Sequence, residues 1–198
     1  MIIVDCEQGT QEWFEARCGI PTASCFDKII TSTGAKSKQF QGYLNMLAGE
    51  SLVGVQESYK SEAMQRGNDL EPDAITMFEF MTDQDVQRVG LCYKDEEKAA
   101  SCSPDALVGD HSGLEIKCPA LATHVGYVRA NKIPAKYVPQ VQGSMYVTGR
   151  KSWYFMSYFP RLKPLLIEVK RDDEFIKQLD DYLTDFNDQL SSIKQFLR

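Results

Sequence analysis

Asp105, Glu115 and Lys117 stand within one short run, SPDALVGDHSGLEIKCP, whose other residues are mostly small or apolar. Two carboxylates, with the backbone carbonyl of Ile116 between Glu115 and Lys117, make an all-oxygen donor set. Hard divalent cations such as Mg²⁺ take such ligands. An amine beside the cation could orient or deprotonate a water, its pKa falling if it is desolvated there, or steady charge developing on a phosphate. The chemistry open to the three residues is metal-assisted attack of water on a phosphodiester. The spacing equally suits an edge strand with Glu115 and Lys117 facing solvent and Asp105 in a turn after Pro104, so the pattern alone leaves both readings open.

The elements that must position these residues can be read from periodicity. Strands are expected over 89–93, over 99–104 leading into Asp105, and over 113–118. In the last of these, alternation puts Leu114, Ile116 and Cys118 on one face and Glu115 with Lys117 on the other. Thr22 reads as the N-cap of a short helix that carries Phe26, Ile29 and Ile30. Further helices are predicted over 39–52, 70–81, 122–131 and 138–148, with Pro72 tolerable only in a first turn or at a kink. Strands over 153–159 and 165–169 follow, then an amphipathic helix bearing Phe175, Leu179, Leu183, Phe186 and Leu190 that packs on the sheet.

These elements make a single α/β or α+β domain over 1–198, since no linker, repeat or break in composition divides the chain. No apolar run is long enough to span a membrane, and the N-terminus lacks a basic segment followed by an apolar one. A cytoplasmic location is therefore expected, that of the bacterial host if a phage or prophage encodes the chain. The six cysteines show no paired metal-site spacing and read as reduced thiols. His111 and Cys118 read as structural. The net charge is −6, yet Lys117 to Lys163 holds eight bases and no acid, so the remainder carries −14 once those eight are set aside. Such a stretch suits a phosphate-facing surface or a chance cluster of solvated bases.

Four blocks, in order, resemble the phage-type recombination exonucleases typified by λ exonuclease, within the PD-(D/E)xK nuclease superfamily. They are WFEARCGIPTAS from Trp13, RGNDLEPDA from Arg66, CSPDALVGDHSGLEIKCP from Cys102, and YVPQVQGSMYVTGRKSWYFMSYFPRLK from Tyr137. The resemblance implies a restriction-endonuclease-like core, a central mixed β-sheet flanked by helices. It implies that Asp105, Glu115 and the Ile116 carbonyl bind two Mg²⁺, with Mn²⁺ a substitute, and that Lys117 serves the nucleophilic water. Glu71 would complete the metal shell directly or through water, although Pro72 directly after it departs from the λ pattern. Gln140 would hold the metal-bound water or Glu71. Arg17, Ser24 and Ser103 would receive the 5′-phosphate of a DNA end.

The implied activity is a 5′-to-3′ exonuclease that degrades one strand of linear duplex DNA to 5′-mononucleotides and leaves a 3′ strand for recombination. The implied partners are a single-strand-annealing recombinase and two further copies in a homotrimer. A restriction-like endonuclease or junction resolvase shares the metal site, and a catalytically silent DNA-binding domain is the other alternative. The stretch Gln39 to Ser61 matches no block, and any strand-separating wedge there is unassigned.

Overall fold

The computed structural model describes residues 1–55 and 62–198. Numbered along the chain, β1 (Ile2–Val4), β3 (Leu91–Tyr93) and β4 (Ser101–Cys102) form a three-stranded antiparallel sheet. The larger sheet has five strands, β2 (Val86–Gln87), β5 (Ala106–Val108), β6 (Ser112–Lys117), β7 (Ser152–Ser157) and β8 (Leu165–Lys170), side by side in that order. β6 runs parallel to β7 and antiparallel to β5, so the sheet is mixed. The strand that carries Glu115 and Lys117 is therefore central, which removes the solvent-facing edge strand as a reading of the motif.

The period-2 alternation is realised as expected. Leu114 and Ile116 join Ala106, Val108 and Met156 in a core layer closed by Ala74, Ile75 and Phe78 of α3 (Glu62–Thr82). Trp153, Phe155 and Leu165 face the other way, into a second core. That core also takes Phe40, Tyr43 and Leu44 of α2 (Phe40–Val53), Val141 and Met145 of α5 (Val138–Thr148), and the apolar stripe of α6 (Asp173–Phe196). The sheet is thus covered by helices on both faces, the arrangement the family resemblance implies.

Several boundaries differ from expectation for local reasons. α3 begins at Glu62 rather than 70 and contains Pro72 in its interior. Proline costs a helix one main-chain hydrogen bond and brings its ring against the preceding turn, but the helix is held on both sides of Pro72. Arg66 donates to Cys118 O and Pro119 O and Leu70 packs on the core before it, and Ala74, Ile75 and Phe78 are buried after it. Thr22 stands at the head of a 3-10 turn, Ala23–Lys28, rather than an α-helix, and its buried hydroxyl has no partner among the described residues. Its backbone does the anchoring instead: Thr22 bridges to Ser101, and its N–H donates to the Tyr43 hydroxyl at 3.1 Å. β3 and β4 are shorter than predicted because side chains capture the flanking carbonyls. Gln8 Nε2 donates to Val89 O at 3.2 Å and to Pro104 O at 2.8 Å. Gly90 lies so close to the Cys6 carbonyl that a Cβ would fall 1.8 Å from its oxygen.

α5 is the structural pivot. Pro139 fits its first turn, Gly149 closes it in the left-handed region (φ 72°), and most of its residues are buried. Gly143 lets it lie directly on the 3-10 turn, since a Cβ there would sit 2.2 Å from Phe26 Cδ2. No helix among the described residues is long and apolar enough to cross a membrane. All six cysteines are free thiols.

Candidate active site

Strand alternation and the seating of α5 bring three predicted residues together. Glu115, 2% exposed, points from β6 towards α5. There Lys117 Nζ lies 2.5 Å from its Oε1, and Gln140 Nε2 donates to the same oxygen at 2.7 Å. The Tyr137 ring lies beside the ammonium, with its centroid 5.3 Å from Nζ. Burying a carboxylate costs several kcal/mol, roughly, unless it is paired and hydrogen-bonded; Lys117 and Gln140 meet that requirement. Asp105 stands just before β5, where its Oδ2 accepts the Ile116 N–H and ties the two strands together at the motif.

The charges act strongly on one another. Burial pushes the Asp105 carboxyl well above the usual carboxylate range and nearby Glu115 pushes it further, while Lys117 pulls it back. For Lys117, burial opposes the charge, but Glu115 and then Asp105 outweigh it and hold the ammonium above its ordinary value. The fall in lysine pKa expected from desolvation is therefore reversed, because two carboxylates flank the amine.

Glu71 projects from α3 towards this cluster without joining it. Its Oε1 accepts from Arg88 Nη2 at 2.7 Å. Burial raises its carboxyl, Arg88 opposes that, and Glu115 is near enough to add to the rise. Among the described residues, no three Asp, Glu, His or Cys side chains are arranged to hold a metal ion. The donors that converge are Asp105 and Glu115, with the Ile116 carbonyl on the same strand and Glu71 turned to Arg88. Their chemistry fits a hard cation: every donor is oxygen, and the two carboxylates press on each other in a way that positive charge would relieve.

A cavity of about 490 Å³ opens beside the cluster, lined among others by Trp13, Arg17, Tyr43, Glu50, Glu71 and Arg88. α1 (Gln11–Arg17) supplies Trp13 and Arg17, its start capped by Thr10, whose hydroxyl accepts the Trp13 N–H. The Arg17 guanidinium lies 4.1 Å from the Trp13 ring centroid, and its Nη2 is 3.5 Å from Ser24 Oγ. Burial lowers the Arg17 pKa, yet the group stays charged because arginine starts so far above neutrality. Trp13 Nε1 donates to Ser103 Oγ and to Gly90 O, both at 3.0 Å. Arg17 and Ser24 thus meet directly, while Ser103 is joined to them through the indole. Asp105, Glu115, Lys117 and Gln140 do not line the cavity; Glu71 connects it to them.

Sequence reasoning missed several residues that shape the site. Trp13 is the hub of the arginine pocket, and its indole N–H, which must find an acceptor when half-buried, was the available signal. Arg66 donates from Nη2 to Cys118 O at 3.3 Å and to Pro119 O, and lies 5.1 Å from the Phe159 ring centroid, so it pins the strand end beyond Lys117. Its place at the head of RGNDLEPDA hinted at this. Nothing local pointed to Gln8 or Arg88. One predicted surface base is reassigned: Arg150 Nη1 donates to the carbonyls of Val108, Gly109 and Ser112, clasping the β5–β6 turn instead of facing solvent. Of the stretch 39–61, residues 56–61 lie outside the described residues.

The fold is that of the alkaline and phage-related exonucleases. The chain is 34% identical to the alkaline exonuclease LHK-Exo from Laribacter hongkongensis, covering 95% of this chain and 96% of that one with a TM-score of 0.86, and matches the same enzyme in complex with dAMP equally well. A phage-related exonuclease from Haemophilus somnus 129PT shares the fold at 17% identity, a TM-score of 0.70, and coverage of 87% of this chain and 95% of that one. Residues 12–151 match the YqaJ-like viral recombinase domain, and the chain belongs to that family. It is also 31% identical over 61 residues to ExoD of Escherichia coli K12, covering 29% of this chain and 70% of that protein. The family read from the four sequence blocks is borne out, as is the mixed, helix-flanked sheet.

Proposed function

We propose that the protein is a Mg²⁺-dependent exonuclease that removes 5′-mononucleotides from one strand of linear duplex DNA and leaves a 3′ single strand. The observation that carries this reading is the junction at Glu71 between a buried carboxylate–lysine cluster and an arginine-lined cavity. One half suits hydrolysis and the other suits a terminal phosphate. End-to-end likeness to an alkaline exonuclease supports it.

Asp105, Glu115 and the Ile116 carbonyl would hold the cations, with Glu71 completing the shell directly or through water. When bound, the ions supply Lewis-acid activation of water and neutralise charge on the phosphodiester. Lys117, held charged by its carboxylate neighbours, orients the attacking water and steadies charge on the phosphoryl oxygens. Gln140 fixes the Glu115 carboxylate by its 2.7 Å hydrogen bond. Arg17, backed by Trp13, takes the 5′-phosphate in the bidentate manner that guanidinium favours, with Ser24 and Ser103 as further donors. Family membership supports a homotrimer around the product strand and hand-over of that strand to a single-strand-annealing recombinase in a bacterial cytoplasm.

The test digests linear duplex with and without a 5′-phosphate, alongside a supercoiled circle, in Mg²⁺. Release of 5′-mononucleotides from the phosphorylated end is expected. Cleavage of the circle would replace the exonuclease by an endonuclease or resolvase, and indifference to the 5′-phosphate would remove the roles of Arg17, Ser24 and Ser103.

A further inference from the structure

We propose that Arg88 is a second phosphate-binding residue of the DNA-end site, facing the same cavity as Arg17 and engaged by Glu71 when no DNA is present. The proposal rests on the reading of that cavity as a DNA-end site and extends it to an internal phosphodiester of the same strand. Arg88 lies in the connection between β2 and β3, with its side chain 62% exposed. It lines the cavity together with Arg17 and Glu71. The other arginines with a clear duty near the site, Arg66 and Arg150, spend their guanidiniums on main-chain carbonyls. Arg88 instead holds a carboxylate that has a second use at the hydrolytic cluster.

Arg17, Glu71 and Arg88 line one cavity, and among the described lining residues Arg17 and Arg88 carry positive charge. A strand whose 5′-phosphate sits at Arg17 and whose next phosphodiester extends towards Glu71 would meet Arg88 there. Because one side of the Arg88–Glu71 pair is well exposed, the pair contributes little, and exchanging a carboxylate for a phosphate oxygen costs little. Glu71 cannot hold Arg88 and face the Asp105–Glu115 cluster at once: turned to the cluster it frees Arg88 for phosphate, and Arg88 on phosphate frees Glu71.

The experiment measures binding of a 5′-phosphorylated blunt duplex by fluorescence anisotropy in EDTA, across a salt series, so that hydrolysis plays no part. Arg88→Ala is expected to weaken binding several-fold and to reduce the slope of log affinity against log salt by about one, the loss of one phosphate contact. Arg88→Lys should keep the slope and recover part of the affinity. Glu71→Gln should tighten binding, and that gain should vanish in the Glu71→Gln/Arg88→Ala double variant. A wild-type slope for Arg88→Ala overturns the proposal, as does a gain from Glu71→Gln that survives the loss of Arg88, which would be a general charge effect. Arg17→Ala separates the two levels. If it weakens binding while Arg88→Ala does not, only this proposal falls; if neither matters, the reading of the cavity falls with it. Circular dichroism confirms that each variant is folded.

Discussion

Replacing Lys117 by methionine separates what the buried charge cluster does for folding from the hydrolytic role proposed for it. In the native protein Glu115 is 2% exposed and shares one oxygen between Lys117 and Gln140. Lys117→Met leaves the carboxylate buried with only the amide. Removing one partner of a buried pair costs about 3–5 kcal/mol. Lys117 is 28% exposed and the Gln140 bond survives, so the lower end, ~3 kcal/mol, is expected. For a chain of this size that is a fall of roughly 6–12 °C in Tm. The Glu115→Gln/Lys117→Met double variant removes both charges and keeps shape, and should return to within ~1 kcal/mol of wild type. Hydrolysis should fall by about 10²–10³-fold in the single variant and stay lost in the double. Differential scanning fluorimetry and a linear-duplex assay read the two effects on the same samples. A Lys117→Met protein with wild-type Tm, or a double variant no more stable than the single, would refute the claim that Glu115 depends on Lys117 for its burial.

Three other expectations follow from the geometry. Gly143→Ala forces a methyl against buried Phe26 and should cost about 1–3 kcal/mol in denaturant unfolding, with loss of activity because α5, which carries Gln140, and the turn that carries Ser24 pack together at that contact. Arg150→Ala should cost about 1.5–3 kcal/mol by freeing carbonyls of the β5–β6 turn, yet leave the salt dependence of DNA binding unchanged, which anisotropy would show. Mg²⁺ at about 100 times its dissociation constant should stabilise the protein by about 2.7 kcal/mol, a rise in Tm that Asp105→Asn abolishes and EDTA reverses.

Much of the site could be read from the chain because strand chemistry is periodic. Glu115 and Lys117 share a face by the pleat alone, and the opposite residues Leu114 and Ile116 are apolar because a central strand must bury both sides. The span of α5 was legible from the helical spacing of Val141, Met145 and Thr148. The start of α3 was not: Pro72 argues locally for a helix beginning near it, while the packing that overrules it involves β6 and β7, distant in sequence. Thr22 misled for a similar reason, since its backbone is held by Ser101 and Tyr43 rather than by its own hydroxyl. Arg150 shows the limit of counting charges: its guanidinium is spent on carbonyls 38–42 residues away, which composition cannot reveal. Arg88 and Gln8 were invisible because they act across the fold on Glu71, Val89 and Pro104, from connections that carry no pattern of their own.

The stacking of Arg17 on Trp13 has an optical consequence. The chain has two tryptophans, and Trp153 is fully buried in the second core against Gly113. Trp13 is half-buried at the cavity, so it is the indole whose emission a ligand at Arg17 can change. The protein thus carries its own fluorophore at the pocket, and the lifetime of one side chain can report when a ligand arrives, without a label on either molecule.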